Sequence, residues 1–142
     1  MKILVTGGAG FIASHISDAY IAAGHEVVIM DDLSSGKRAN VPAAAKFYHA
    51  DIRTPEAREI IRNERPQVLS LHAAQMDVRK SVADPAFDAT VNVLGMINML
   101  EGAREVGEQQ VLFASSGGAT YGEQDTFPAA ESHPHNPLSP YG

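Results

Sequence analysis

Apolar residues in this chain come in short unbroken runs, separated by stretches in which they recur at helical spacing. Lys2 to Val5, Glu26 to Met30, Lys46 to Ala50, Val68 to His72 and Val111 to Ser115 are the runs. They lack clean apolar–polar alternation, which is the signature of strands covered on both faces. Between the first two, Phe11, Ile12, His15, Ile16, Ala19, Tyr20 and Ala23 fall on a helical period, and Gly24 sits where a helix C-cap belongs. Thr54-Pro55 reads as an N-cap followed by proline at the first helical position, opening a helix to about Glu64 before Pro66. Asp84-Pro85 opens another, the longest element, continuing to about Gly107. Leu33 to Pro42 is a polar loop broken by Gly36 and Pro42, and the chain turns loop-like again from Ser116.

Strands alternating with helices predict an α/β fold: a doubly wound parallel sheet with right-handed crossovers and strand order 3-2-1-4-5. In such sheets ligands bind at the carboxyl ends of the strands. Gly7, Asp31, Asp51, His72 and Ser115 each close a strand and so fall on that one edge.

Composition narrows the class. At 142 residues the chain forms one domain, residues 1–142, with roughly two thirds of its unfolded surface buried. With 44% apolar and 20% charged residues it is neither disordered nor membrane-spanning in type. A net charge of −6, with Lys37-Arg38 and Arg79-Lys80 as the close basic pairs, argues against a nucleic-acid partner. There is no cysteine, which excludes disulfides, thiolate metal sites and cysteine nucleophiles and suits a reducing cytoplasm, the expected location. Met1 to Val5 resembles the start of a signal peptide, but Thr6-Gly7-Gly8 ends the apolar run too early.

Gly8-Ala9-Gly10-Phe11-Ile12-Ala13 fits G-x-G-x-x-G/A. Alone, a flexible turn before a helix satisfies it equally well. Here a strand precedes, a helix follows and an acidic residue closes the next strand some twenty residues on, which points to dinucleotide binding. Unpaired N–H groups and the positive end of the helix dipole would then face a pyrophosphate. Asp31 is placed to accept from ribose hydroxyls, and its charge repels a 2′-phosphate, favouring NAD over NADP; Lys37 and Arg38 temper that preference. Turn chemistry is the alternative role for Asp31 and Asp32. His133-x-His135 beside Glu131 invites a metal reading, but a proline-rich loop without a third ligand is expected to be solvated, and no metal is predicted.

Thr6-Gly7-Gly8-Ala9-Gly10-Phe11-Ile12-Ala13, Asp31-Asp32-Leu33-Ser34-Ser35-Gly36, Asp51-Ile52-Arg53, His72-Ala73-Ala74-Gln75, Asn92-Val93-Leu94-Gly95, Ser115 to Gly122 and Ser139-Pro140-Tyr141-Gly142 together resemble the extended short-chain dehydrogenase/reductase family. Within it the likeness is to NAD-dependent nucleotide-sugar epimerases of the UDP-glucose 4-epimerase type, and it spans the whole chain. The resemblance implies a Rossmann-type fold and NAD as cofactor. It places Gly7, Gly10, Phe11, Ile12 and Ala13 at the pyrophosphate and Asp31, Asp32, Leu33, Ser34, Ser35 and Gly36 around the adenosine ribose. Asp51 and Ile52 fall by the adenine, Ala73, Ala74, Gln75 and Ser115 along the cofactor, and Asn92 near the active site. Gly117, Gly118 and Tyr121 fall on the substrate side, and Tyr141 is the implied catalytic tyrosine. Implied partners are NAD, a UDP-sugar or other nucleotide sugar, and a second copy in a homodimer built on the long helix.

By the same resemblance, hydride passes from C4 of the sugar to NAD while a tyrosinate removes the hydroxyl proton, and the keto sugar is reduced from its other face. A free phenol titrates near 10 and is a poor base at neutral pH; a lysine four residues later would lower that value. The sequence stops at Gly142, so a C-terminally truncated, catalytically inactive NAD-binding part is expected, without the nucleotide-sugar-binding domain. Gly117 stands where the family carries a serine or threonine, leaving Tyr121, Ser116 or a water to bond the reacting hydroxyl. Nucleotide-sugar dehydratases carry an Asp-Glu pair where this chain has Gly117-Gly118, which counts against dehydration. A non-catalytic NAD-binding module is the second reading.

Overall fold

The computed structural model describes residues 1–107 and 110–142. Strands β1 (Lys2–Thr6), β2 (Glu26–Asp31), β3 (Lys46–His49), β4 (Val68–Leu71) and β5 (Gln110–Phe113) form one parallel sheet in the order β3-β2-β1-β4-β5, as expected. Leu4 in the central strand pairs with Val28 on one side and Leu69 on the other, so all five carboxyl ends share an edge.

Both faces of β1, β2 and β4 are covered, which is why these strands read as continuous apolar runs; β5, at the sheet edge, departs from that expectation, since all four of its residues are exposed. Leu4, Val28, Met30, Leu69 and Leu71 pack against Ile60 and Ile61 of α2 (Pro55–Glu64) and Met99 and Ala103 of a later helix. Ile3, Val5, Val27, Ile29 and Val68 point the other way, toward Ala9 and Ala13 at the start of α1 (Phe11–Ala22). Each fully buried Leu, Ile or Val contributes about 1.5–3 kcal/mol to this core.

The buried side of α1 corrects an expectation. The helical period assigns Phe11 and Ile12 to its apolar face, yet they are 79% and 66% exposed, while Ala13, Ser14 and Ser17 are buried. Small side chains let the helix axis approach the sheet, and Ser17 satisfies its hydroxyl on the Ala13 carbonyl. At the start of α2, Pro55 occupies the first turn as expected, but the Thr54 hydroxyl donates to the Asp51 carbonyl and caps nothing.

The single long helix expected from Asp84 to Gly107 is three segments: α4 (Pro85–Ala89), a π-helical turn (Thr90–Gly95) and α5 (Met96–Val106). It is preceded by α3 (Val78–Ala83), which the sequence pattern does not predict; the Asp77 carboxylate accepts from the Arg79 and Lys80 N–H groups at its start. Asp84 ends α3 and caps α4 through the Phe87 N–H. Arg38–Asn40 forms a short 3₁₀ turn within the expected loop, and α6 (Gly117–Thr120) a single turn after β5. Asn98 of α5 donates to the Ile52 and Thr54 carbonyls and accepts from Arg58, a packing role.

Candidate functional site

Three chain segments meet at the carboxyl edge. The first is the turn after β1. Gly7 adopts φ +70°, and a Cβ there would lie 2.8 Å from the Ala73 nitrogen. Its N–H donates to Met30, and its carbonyl accepts from Gly10. Gly10 begins α1 in an extended conformation with no side-chain cap. The N–H groups of the first helical turn therefore open outward beside exposed Phe11 and Ile12.

The second segment follows β2. Asp31 is 7% exposed; its Oδ2 accepts from the Ala9 N–H at 2.9 Å and its Oδ1 from the Leu33 N–H at 2.8 Å. The carboxylate thus performs turn chemistry and also fastens its own loop to the glycine turn, keeping lone pairs free on both oxygens. The Ala9 carbonyl accepts from the Lys37 N–H and from Asn40 Nδ2, a tie that the sequence pattern does not reveal. Gly36 is required here, because a Cβ would lie 2.8 Å from that of Ala9. Asp32 Oδ1 accepts from the Ser34 N–H and hydroxyl, and Asp32, Ser34 and Ser35 are exposed. The Arg38 guanidinium stacks on Phe47, 4.6 Å from the ring centroid, so its charge is directed to β3. After β3, hydrogen bonds from Arg53 hold the Asp51 carboxyl below the usual carboxylate range, against the opposing pull of burial. Ile52 is buried against the backbone of Gly95.

The third segment follows β4. Thr6 Oγ1 accepts from both the His72 and Ala73 N–H groups, at 3.0 and 3.1 Å. The Asn92 amide accepts from the Gln75 N–H at 2.8 Å and donates to the Gln75 carbonyl at 2.9 Å, so it braces this loop. His72 Nε2 lies 2.9 Å from Ser70 Oγ, and burial holds its pKa below the ordinary value, leaving the ring neutral at pH 7.

A cavity of about 160 Å³ opens where these segments meet the end of β5. Thr6, Ile52, Ala73, Ala74, Asn92, Met96, Ser115, Ser116 and Tyr141 are among its lining residues. Gly117, Gly118 and Tyr121 lie outside that lining. The Tyr121 ring instead packs against His133 and His135, with centroids 5.5 and 5.4 Å away. A Cβ at Gly117 would meet only that ring, at 3.8 Å, so the position has room for a side chain. His133 Nε2 accepts from the Asp125 N–H, and among the described residues no three His, Asp or Glu side chains are arranged to hold a metal.

A sequence profile of the NAD-dependent epimerase/dehydratase family matches residues 3–142. The chain belongs to that family. It is 44% identical over 146 residues to the UDP-glucose 4-epimerase of Mycolicibacterium smegmatis, covering 99% of this chain and 47% of that protein. The structure of the Thermus thermophilus UDP-glucose 4-epimerase in complex with NAD superposes with a TM-score of 0.94 at 47% identity, covering 99% of this chain and 46% of that one. That of the Thermotoga maritima enzyme with UDP-glucose gives 0.95 at 43%, covering 100% and 47%. This member of the epimerase/dehydratase family thus spans under half the length of these relatives.

Proposed function

We propose that these residues are the NAD-binding part of a nucleotide-sugar C4 epimerase, with a UDP-sugar as substrate. The observation that carries the reading is the pair of hydrogen bonds from Ala9 and Leu33 to Asp31, which sets a buried carboxylate beside an uncapped helix N-terminus. The site fits a dinucleotide. Gly7 and Gly36 let the segments of the cradle approach one another, since a Cβ at either would collide with Ala73 or Ala9, and the N–H groups of Phe11 and Ile12 suit a pyrophosphate. The free lone pairs of Asp31 suit the two ribose hydroxyls, and its charge selects against a 2′-phosphate. Asp51 and Ile52 would border the adenine, and Ala73 to Gln75 the middle of the cofactor.

NAD, when bound, supplies a hydride acceptor and donor for C4 of the sugar. Tyr141, on the cavity wall, is the group to take the proton of the C4 hydroxyl and return it. Ser116 shares that wall and Tyr121 does not, which supports Ser116 as the hydrogen-bond partner at the position Gly117 leaves bare. Cytoplasmic residence and a homodimer of the intact enzyme belong to the same reading. Val93 and Leu94 in the π-helical turn and Ile97 and Leu100 in α5, 37–57% exposed, support the dimer.

These 142 residues span under half the length of the UDP-glucose 4-epimerases they match, so a polypeptide of these residues alone is expected to bind NAD without turning over UDP-galactose. Calorimetry that detects no NAD binding refutes the first half. Conversion of UDP-galactose to UDP-glucose by the polypeptide alone refutes the second.

A further inference from the structure

Asp88, in α4, is a carboxylate 3% exposed to which the NAD site gives no task of its own. Its Oδ1 accepts from Gln75 Nε2 at 2.8 Å and from Asn92 Nδ2 at 3.1 Å. The remaining groups of those two amides are committed to the backbone of one loop. Asn92 accepts from the Gln75 N–H and donates to its carbonyl; Gln75 donates to the Asp77 carbonyl and accepts from the Asp77 N–H. Each NH₂ group therefore has both protons placed, one of them on Asp88. An acceptor oxygen is what this position requires, since a donor there would face two other donors. The braced loop bears directly on the site: Ala73 and Ala74 line the cavity, and Ala73 abuts Gly7.

We propose that Asp88 is a positioning residue for the dinucleotide, fixing through Gln75 and Asn92 the loop that would lie along its central and nicotinamide portion. The inference rests on the NAD reading. It separates two halves of the ligand, because the adenosine half meets the glycine turn and the Asp31 loop, which Asp88 does not touch.

The test is Asp88→Leu, which removes the acceptor, compared with Asp88→Asn, whose one oxygen can still take both protons. NAD and AMP are titrated calorimetrically, and the side-chain NH₂ signals of Gln75 and Asn92 are followed by nuclear magnetic resonance. Expected for Asp88→Leu are loss of the slowly exchanging NH₂ signals, NAD binding weakened about tenfold and AMP binding unchanged within about twofold. Asp88→Asn restores the signals and most of the NAD affinity. Should Asp88→Leu fail to fold, Gln75→Met removes the bridging amide from a half-buried position, with the same split expected. Equal weakening of NAD and AMP, or undiminished NAD affinity with the signals lost, overturns the proposal. Wild-type protein that binds neither ligand overturns the NAD reading itself, and the inference with it.

Discussion

Replacing Asp31 by asparagine tests whether one side chain both builds and serves the site. The carboxylate is 7% exposed and accepts from two backbone N–H groups, one of them on Ala9, which is itself fully buried. Asparagine keeps one acceptor oxygen and turns an NH₂ group toward the other N–H. One charge-assisted hydrogen bond is lost and one buried donor is left unpaired, a cost of about 1.5–3 kcal/mol. The glycine turn would loosen from the loop after β2, so urea unfolding should report that loss even without ligand. With ligand, two effects separate. NAD affinity should fall by about tenfold or more, because the ribose hydroxyls lose an ionised acceptor. NADP affinity should fall less or rise, since the repulsion of its 2′-phosphate is removed, so the NAD-to-NADP ratio should shrink. Unchanged stability in the variant would refute the structural half of this argument. An unchanged ratio would refute the electrostatic half.

Acid should unfold the chain through Glu64, at the end of α2. Burial alone pushes this carboxyl up, but hydrogen bonds from Lys46, Tyr48 and Lys2 outweigh it and hold the pKa at about 2 against 4.5 unperturbed. A depressed folded-state pKa gives stability that is complete above about pH 4.5 and lost as pH falls toward 2, about 3 kcal/mol in all. Glu64→Gln should flatten that slope in urea titrations between pH 5 and 2, and an undiminished slope would remove Glu64 as its source. Gly7→Ala puts a Cβ 2.8 Å from the Ala73 nitrogen at a φ of +70°, so a loss of about 2 kcal/mol or more and a weakened NAD site are expected by unfolding and calorimetry. Thr6→Val, nearly isosteric, removes the acceptor shared by His72 and Ala73; faster hydrogen exchange at those two amides should accompany a loss of about 1–3 kcal/mol.

The three central strands, β2, β1 and β4, were legible because each lies between two apolar layers: Ile29 and Met30 face opposite cores, so neither could be polar. The glycine turn was legible because few sequences satisfy φ +70° and contact with Ala73 together. What escaped the sequence was whatever depends on distant partners or on a change of helical period. The π-helical turn at Thr90–Gly95 inserts into an otherwise regular apolar pattern, and a period of 3.6 fits the flanking residues well enough to hide it. Short α3 is set by the Asp77 cap and has too few turns to show a period. Asn92 lines the cavity that Tyr141 also lines, but the sequence gives no sign that its amide is bonded to Gln75, 17 residues away. The burial of Ser14 and Ser17 in place of Phe11 and Ile12 likewise depends on how closely α1 approaches the sheet, which no local pattern records.

The polar residues at this edge share a manner of working. Thr6, Asp31, Asn40 and Asn92 each direct their side chains to the backbone of another segment: Thr6 to His72 and Ala73, Asp31 and Asn40 to Ala9, Asn92 to Gln75. The three segments are thereby tied to one another, and the N–H groups at the start of α1, which no side chain caps, are left facing outward. A surface of fixed backbone donors favours an elongated anion over a compact reactive group, and it needs little rearrangement to receive one. Tyr141 and Ser116 line the same cavity as Thr6 and Asn92 but make none of those ties. On the function proposed above, cofactor holding and proton transfer therefore rest on different side chains. Substitutions among the four tying residues should register in NAD affinity and stability together, whereas changes at Ser116 or Tyr141 should leave both nearly unaltered and register only in turnover by an intact enzyme.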